Sequence, residues 1–256
     1  MKKLHRGGSS PDGEPLSAGR VEYLEAARQR VRRRRLRRTV IILAALILVT
    51  LFATGAVGAS IARVKDLVDT VHIALSPAVG WPQQTGLGDL TAVQPMSGSF
   101  AAMDEDACVV YSLGGTRLAS IQSGYARPAL AAGKTRFVLY NRSGNELRVE
   151  SRTQNLYSKT LENSIYLCAM SDTGTLAVAT DSADSTARLT VYTPTMSEQL
   201  HWDMTGTQGT PVRMAFAADS RRLAVAAVTS SAGQLQANLF VLSLAQGDPV
   251  QLSSGD

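Results

Sequence analysis

The sequence predicts an all-β fold of propeller-like, four-stranded blades preceded by one N-terminal transmembrane α-helix. Three observations carry this reading: a 24-residue stretch without a charge at residues 39–62, short apolar runs separated by turn residues from about residue 99 onward, and recurrence of one strand–turn–strand theme along those runs. The blades number about three and a half to four.

Residues 1–38 come first, with 12 Lys and Arg against 4 Asp and Glu, so the formal +5 of the whole chain divides into a +8 tail and a −3 remainder. A basic globular domain is thereby excluded, and with no aromatic interleaving beyond Tyr23 no nucleic-acid partner is expected. Residues 7–19, GGSSPDGEPLSAG, read as disordered. Eight arginines crowd residues 28–38, and Arg32, Arg33, Arg34, Arg35, Arg37 and Arg38 stand directly before the apolar run. Basic residues resist translocation and attract anionic lipid headgroups, so the tail is expected in the cytoplasm and everything after about residue 63 outside, in a single-pass plasma-membrane protein.

The apolar run, TVIILAALILVTLFATGAVGASIA, exceeds the roughly 20 residues a helix needs to cross the hydrocarbon core. Val57 and Ala59 precede Ser60 as a signal-peptide cleavage site would require. The run and its 38-residue leader are nevertheless long for a signal peptide, whose apolar region is about 7 to 15 residues, which favours a retained anchor. Beyond it Ile61, Val64, Leu67, Val68, Val71 and Leu75 recur at helical spacing until Pro77, predicting an amphipathic stalk whose apolar side packs on the domain that follows. Residues 77–98, rich in Pro and Gly, read as a connecting segment, so that stalk and linker occupy residues 63–98 and the β-domain residues 99–256.

Within that domain CVVYS and TRLASI flank Gly114-Gly115, and FVLYN and ELRVES flank Ser143-Gly144-Asn145, both hairpin signals. The stretches ARPALAAGKTRFVLY, SIYLCAMSDTGTLAVAT and VRMAFAADSRRLAVA repeat one pattern of apolar strand, polar turn and apolar strand. Taking Gly133, Gly174 and Ser220 as equivalent turn positions gives spacings of 41 and 46 residues. Each unit then adds one or two more strands, and four strands in about 40 to 45 residues is the period of a propeller blade. SDTG and AADS are plausible relatives of the tight turn of WD40-like blades, although no Trp-Asp dipeptide closes a blade. Because most propellers need more blades to close, the arithmetic of residues 97–256 leads to the expectation that the chain is a truncated copy of a longer one.

The Arg-rich tail and single anchor, followed by GSFAAMDEDACVVYS, FVLYNRSGNELRVESRTQNLYSKTLEN, SDTGTLAVATDSADSTARLTVYT and AADSRRLAVAAVTSSAGQLQANLFVLSL, resemble the bacterial domain-of-unknown-function family numbered 5711. The resemblance implies a membrane-anchored, propeller-like protein that continues beyond this chain's last residue, and it carries over no functional residue.

Catalytic motifs are thin. Residues 128–135, PALAAGKT, end like a phosphate-binding loop, but a strand follows where a helix is needed, so a β-turn with an exposed lysine is the better reading. Asp104, Glu105 and Asp106, and more loosely Asp181 and Asp184, lack the ligand spacing of a calcium site and read as solvated turn charge. His201 beside Trp202 reads as a partly buried strand histidine, and Asn141-Arg142-Ser143 as turn chemistry. Cys108 and Cys168 form no CxxC pair and read as two buried strand thiols, with a disulfide between them left open. No cofactor or metal is expected. The sequence therefore points to an envelope interaction module that binds a protein, peptide or glycan outside the cell. A sensor signalling through the tail, or an enzyme with a site assembled from several blades, are the alternatives.

Overall fold

The computed structural model describes residues 57–255. One helix, α1 (Val57–Leu75), leads into sixteen strands arranged as four antiparallel sheets of four, each built from strands consecutive in sequence. Blade one holds β1 (Ala92–Met96), β2 (Ser99–Met103), β3 (Ala107–Ser112) and β4 (Arg117–Gln122). Blade two holds β5 (Pro128–Ala132), β6 (Arg136–Asn141), β7 (Glu146–Ser151) and β8 (Asn155–Thr160). Blade three holds β9 (Ile165–Met170), β10 (Leu176–Thr180), β11 (Ala187–Tyr192) and β12 (Glu198–Met204). Blade four holds β13 (Thr210–Phe216), β14 (Arg222–Ser231), β15 (Gln234–Ser243) and β16 (Pro249–Gly255). The first strands of the blades lie side by side, β1 against β5, β5 against β9 and β9 against β13, so the blades form a fan.

The apolar runs are near-continuous because each middle sheet is covered on both faces, and alternate residues serve opposite neighbours. In β6, Phe137 and Leu139 join Met103, Cys108 and Val110 between blades one and two. Their neighbours Val138 and Tyr140 join Met170, Leu176 and Val178 between blades two and three. Blade three repeats the division, sending Ala177, Ala179, Leu189 and Val191 toward Leu223, Val225 and Phe240 of blade four. Trp202 closes that layer against Phe240, ring centroids 5.2 Å apart. Cys108 and Cys168 are free thiols in different layers, pushed up by burial, Cys108 to about 12 and Cys168 well above its ordinary value.

Three readings of the sequence need correction. Strand β1 lies inside residues 77–98, taken as linker. Pro95 hid it, yet β1 is the innermost strand of its sheet and pairs only with β2, an edge position where a missing N–H is tolerated. The repeat register also shifts. The ends of the innermost strands, Met96, Ala132, Met170 and Phe216, lie 36, 38 and 46 residues apart, so Gly133 is the counterpart of Ser171 and not of Gly174. Gly174 and Ser220 do correspond, both with positive φ at the end of a tight turn. The third correction concerns α1, whose apolar side does not pack on the domain.

The two ends of the fan differ. On blade one, the flank turned away from blade two is covered by the connecting segment. Trp81 packs on Phe100 and Tyr111 at 5.7 and 5.6 Å, its Nε1 donates to the Leu113 carbonyl, and Asp104 Oδ2 accepts from the Gly88 amide. On blade four the corresponding flank is bare. Ala224, Val241 and Val250 form one cross-strand row there, Leu239 lies on the next, and Val250 and Leu239 are exposed. The equivalent row of blade three, Ala177, Val191 and Leu200, is the one that blade four covers.

The expected span at residues 39–62 lies outside the described residues except for its last six, which begin α1. Among the described residues no helix is long and apolar enough to cross a membrane. The arginines from Arg32 to Arg38 also lie outside them.

Candidate interaction surface

At one end of the blades Arg136 and Arg152 link the β5–β6 and β7–β8 turns to the β11–β12 and β1–β2 turns, and α1 docks there through its polar side, on the β5–β6 and β7–β8 turns. Arg136 opens β6 and Arg152 follows β7, and their side chains are only 2% and 1% exposed. Buried guanidinium groups require partners for charge and for their N–H groups, and α1 and the neighbouring blades share that task, with only Arg152 Nε left without an acceptor. Arg136 Nε donates to both oxygens of Asp66, at 3.1 and 3.2 Å, and its Nη1 donates to the Pro194 carbonyl of blade three. Arg152 Nη2 donates to Thr70 Oγ1 at 2.7 Å and to the Asp66 carbonyl, while Nη1 donates to the Ser97 carbonyl of blade one. Thr153 Oγ1 donates to Asp69 Oδ1 at 2.7 Å, and Thr135 Oγ1 donates to Asp66 Oδ2. Burial pulls Arg152 below its ordinary range while Asp69 and then Asp66 push it back. A single network thus ties α1 to three blades.

The same network explains the residues that resembled a phosphate loop. Residues 133–135 are the β5–β6 turn, whose Lys134 pairs with Asp172 at 2.8 Å across the blade boundary and whose Lys134 carbonyl accepts from the Ser97 amide. A β-carbon at Gly133 would overlap the Ser171 carbonyl oxygen, so glycine is required there by a close approach of two turns and not by a phosphate.

Where the outer strands of blades two and three diverge, a recess of about 330 Å³ opens. Lys159 and Thr160 of β8 and Glu162 and Asn163 of the loop after it face Arg188, Thr190 and Tyr192 of β11 and Glu198 of β12. Its groups are held in place: Lys159 Nζ sits 4.3 Å from the Tyr192 ring centroid, and Arg188 makes a two-pronged pair with Asp203 at 2.6 and 3.0 Å. The lining offers donors and acceptors of both signs and more polar than apolar surface, which suits a polar, charge-bearing segment of a partner. No part of this recess was singled out in the sequence, because its residues come from two blades and share no local motif.

Other singled-out residues fall elsewhere. Asp104 is a turn acceptor, receiving the Gly88, Ala107 and Asp106 amides, which hold its carboxyl below the usual range. His201 is exposed on β12 and its Nδ1 lies 2.9 Å from Glu198 Oε1, at the edge of the fan and not partly buried. Among the described residues no group of three or more His, Cys, Asp and Glu is placed to hold a metal.

Four-stranded antiparallel blades fanned about their innermost strands define a propeller-like protein. The family model described as a family of unknown function, DUF5711, matches residues 79–248, and the chain belongs to that family. No curated protein matches the chain. Among solved structures, Hsv2 of Kluyveromyces marxianus is similar at 13% identity and a TM-score of 0.49, with 62% of this chain and 48% of that one covered. The WD40 domain of Neurospora crassa Pan2 is similar at 10% identity and a TM-score of 0.45, with 63% and 50% covered. The chain thus spans about half the length of these structures.

Proposed function

We propose that this chain is a membrane-anchored, extracytoplasmic interaction module that presents the recess between blades two and three to a polar segment of a protein or peptide partner. The observation that supports it most is the recess itself: two blades converge on a pre-positioned set of opposite charges, with Lys159 and Arg188 already fixed by Tyr192 and Asp203. Pre-positioning lowers the ordering cost of binding and favours specificity over sheer affinity. The basic tail and the uncharged run at residues 39–62 support the anchored topology.

The test is in-cell cross-linking of the full chain, comparing the natural sequence with the double variant Lys159→Glu and Arg188→Glu. A protein captured by the natural chain and lost with the variant, while the variant still melts as a folded, cooperative unit, is the expected result. Identical capture by both would overturn the recess as the binding surface. Protease added outside intact cells should remove the β-domain, and full protection would overturn the topology.

A second reading, a sensor signalling to a partner of the cytoplasmic tail, draws support from the network that ties α1 to three blades. Deleting residues 1–27 while keeping the arginines should abolish signalling by a sensor and leave an external binder intact.

A further inference from the structure

The side of α1 opposite the docked one is apolar and uncovered. At about 100° per residue, Asp66, Asp69, Thr70 and Ile73 centre half a turn away from Val64, Val68, Val71 and Leu75. The first set is held by Arg136, Arg152 and Thr153, with Asp69 and Ile73 buried. The second set, with Leu67 beside it, is between 50% and 79% exposed. An amphipathic helix ordinarily turns its apolar side inward, so here the buried arginines have taken the polar side and left the apolar one for something else.

We propose that this stripe pairs with the same stripe of a second copy of the chain, the two α1 helices packing in parallel as a short coiled coil. The exposed residues alternate in steps of four and three, from Val64 to Val68, Val71 and Leu75, and in the sequence the same steps reach back to Ile61 and Val57. A repeat averaging 3.5 residues makes a narrow seam that meets another helix knob into hole. A helix lying on lipid wants a broad apolar face with aromatic residues and a solvated polar face rich in Lys and Arg. This one carries Val and Leu without an aromatic, and its opposite face holds Asp69 buried and Asp66 paired with the buried Arg136.

Area decides how strong the pairing is. The stripe offers roughly 500 Å² of side-chain surface per copy, so a pair buries about 1,000 Å² and falls at the low end of interfaces that persist unaided. Two copies spanning one membrane are confined and aligned in parallel, which raises their effective concentration. The strength of the pairing, though not its geometry, therefore rests on the anchor proposed above.

Single cysteines scanned along α1 of the full chain in its native membranes test the seam, since Cys108 and Cys168 are buried and do not compete. Oxidation should link copies of Val64→Cys, Val68→Cys, Val71→Cys and Leu75→Cys several-fold more than copies of His72→Cys, which lies off the seam. The double variant Val68→Glu and Val71→Glu should lower the mass in mild detergent to that of one chain, with the melting temperature of the β-domain unchanged. Equal linking at His72→Cys, or no linking at the stripe, overturns the proposal. Stripe cysteines that fail to link but react with a lipid-confined maleimide would assign the surface to the membrane instead. Fractionation of the same samples tests the anchor separately.

Discussion

Glu150 shows how one residue sets a pH response. It is buried at the end of β7, where Asn155 donates to it at 2.8 Å and Arg148 pairs with it at 3.0 Å, yet burial dominates and raises its carboxyl above the ordinary 4.5. A raised acid binds its proton more tightly when folded, so its contribution to stability is fully present below about pH 4.5 and is lost as pH rises through the folded value. Glu150→Gln removes the charge and keeps the shape. Its melting temperature relative to the natural chain should therefore climb from acid to neutral pH, and a flat or falling difference would sink the argument. Gly133→Ala tests sterics at the same scale. With the Ser171 carbonyl in the way, two turns must separate, at a cost of about 1–3 kcal/mol, visible as a lower denaturation midpoint.

At the scale of elements, α1 is held by buried charge more than by apolar contact. Asp66→Ala removes the carboxylate that the buried Arg136 Nε donates to, and breaking a buried pair of this kind costs up to about 3–5 kcal/mol. The expected signs are a lower melting temperature and early proteolysis within α1, read by limited digestion. If α1 were an independent stalk, the β-domain would melt unchanged. The strand–turn–strand units were legible in the sequence because each is local: FVLYN with ELRVES and CVVYS with TRLASI are β6–β7 and β3–β4. Strand β1 was not, since Pro95 and its neighbouring glycines carry a loop signature that only the edge position excuses.

For the molecule as a whole, the fan is capped on one flank and bare on the other. Leu189 and Leu239 occupy equivalent positions on blades three and four, cross-strand from Ala179 and Ala226, but only Leu189 has a blade against it. In the 256-residue chain Leu189→Ala should cost about 2–5 kcal/mol and Leu239→Ala less than about 1 kcal/mol. Similar losses at both would mean that the second flank is covered in solution. The expectation of further blades is a separate matter that the intact mass of the native protein decides.

The sequence by itself determined most of the strands, the four-stranded period of the blades and the family, because alternation, turn chemistry and period are written in consecutive residues. Only the tertiary structure decided which way α1 faces and where the recess lies. The stripe of Ile61, Val64, Leu67, Val68, Val71 and Leu75 read as the docking side on hydrophobicity alone. The competing demand came from Arg136 and Arg152, some seventy and eighty residues away, whose burial at the blade turns draws in the Asp66 carboxylate and carbonyl and the Thr70 hydroxyl of α1. Lys159 and Arg188 likewise meet only because β8 and β11 belong to neighbouring blades. A charge buried by long-range packing leaves no local trace in the chain, and that is where reading the sequence stops.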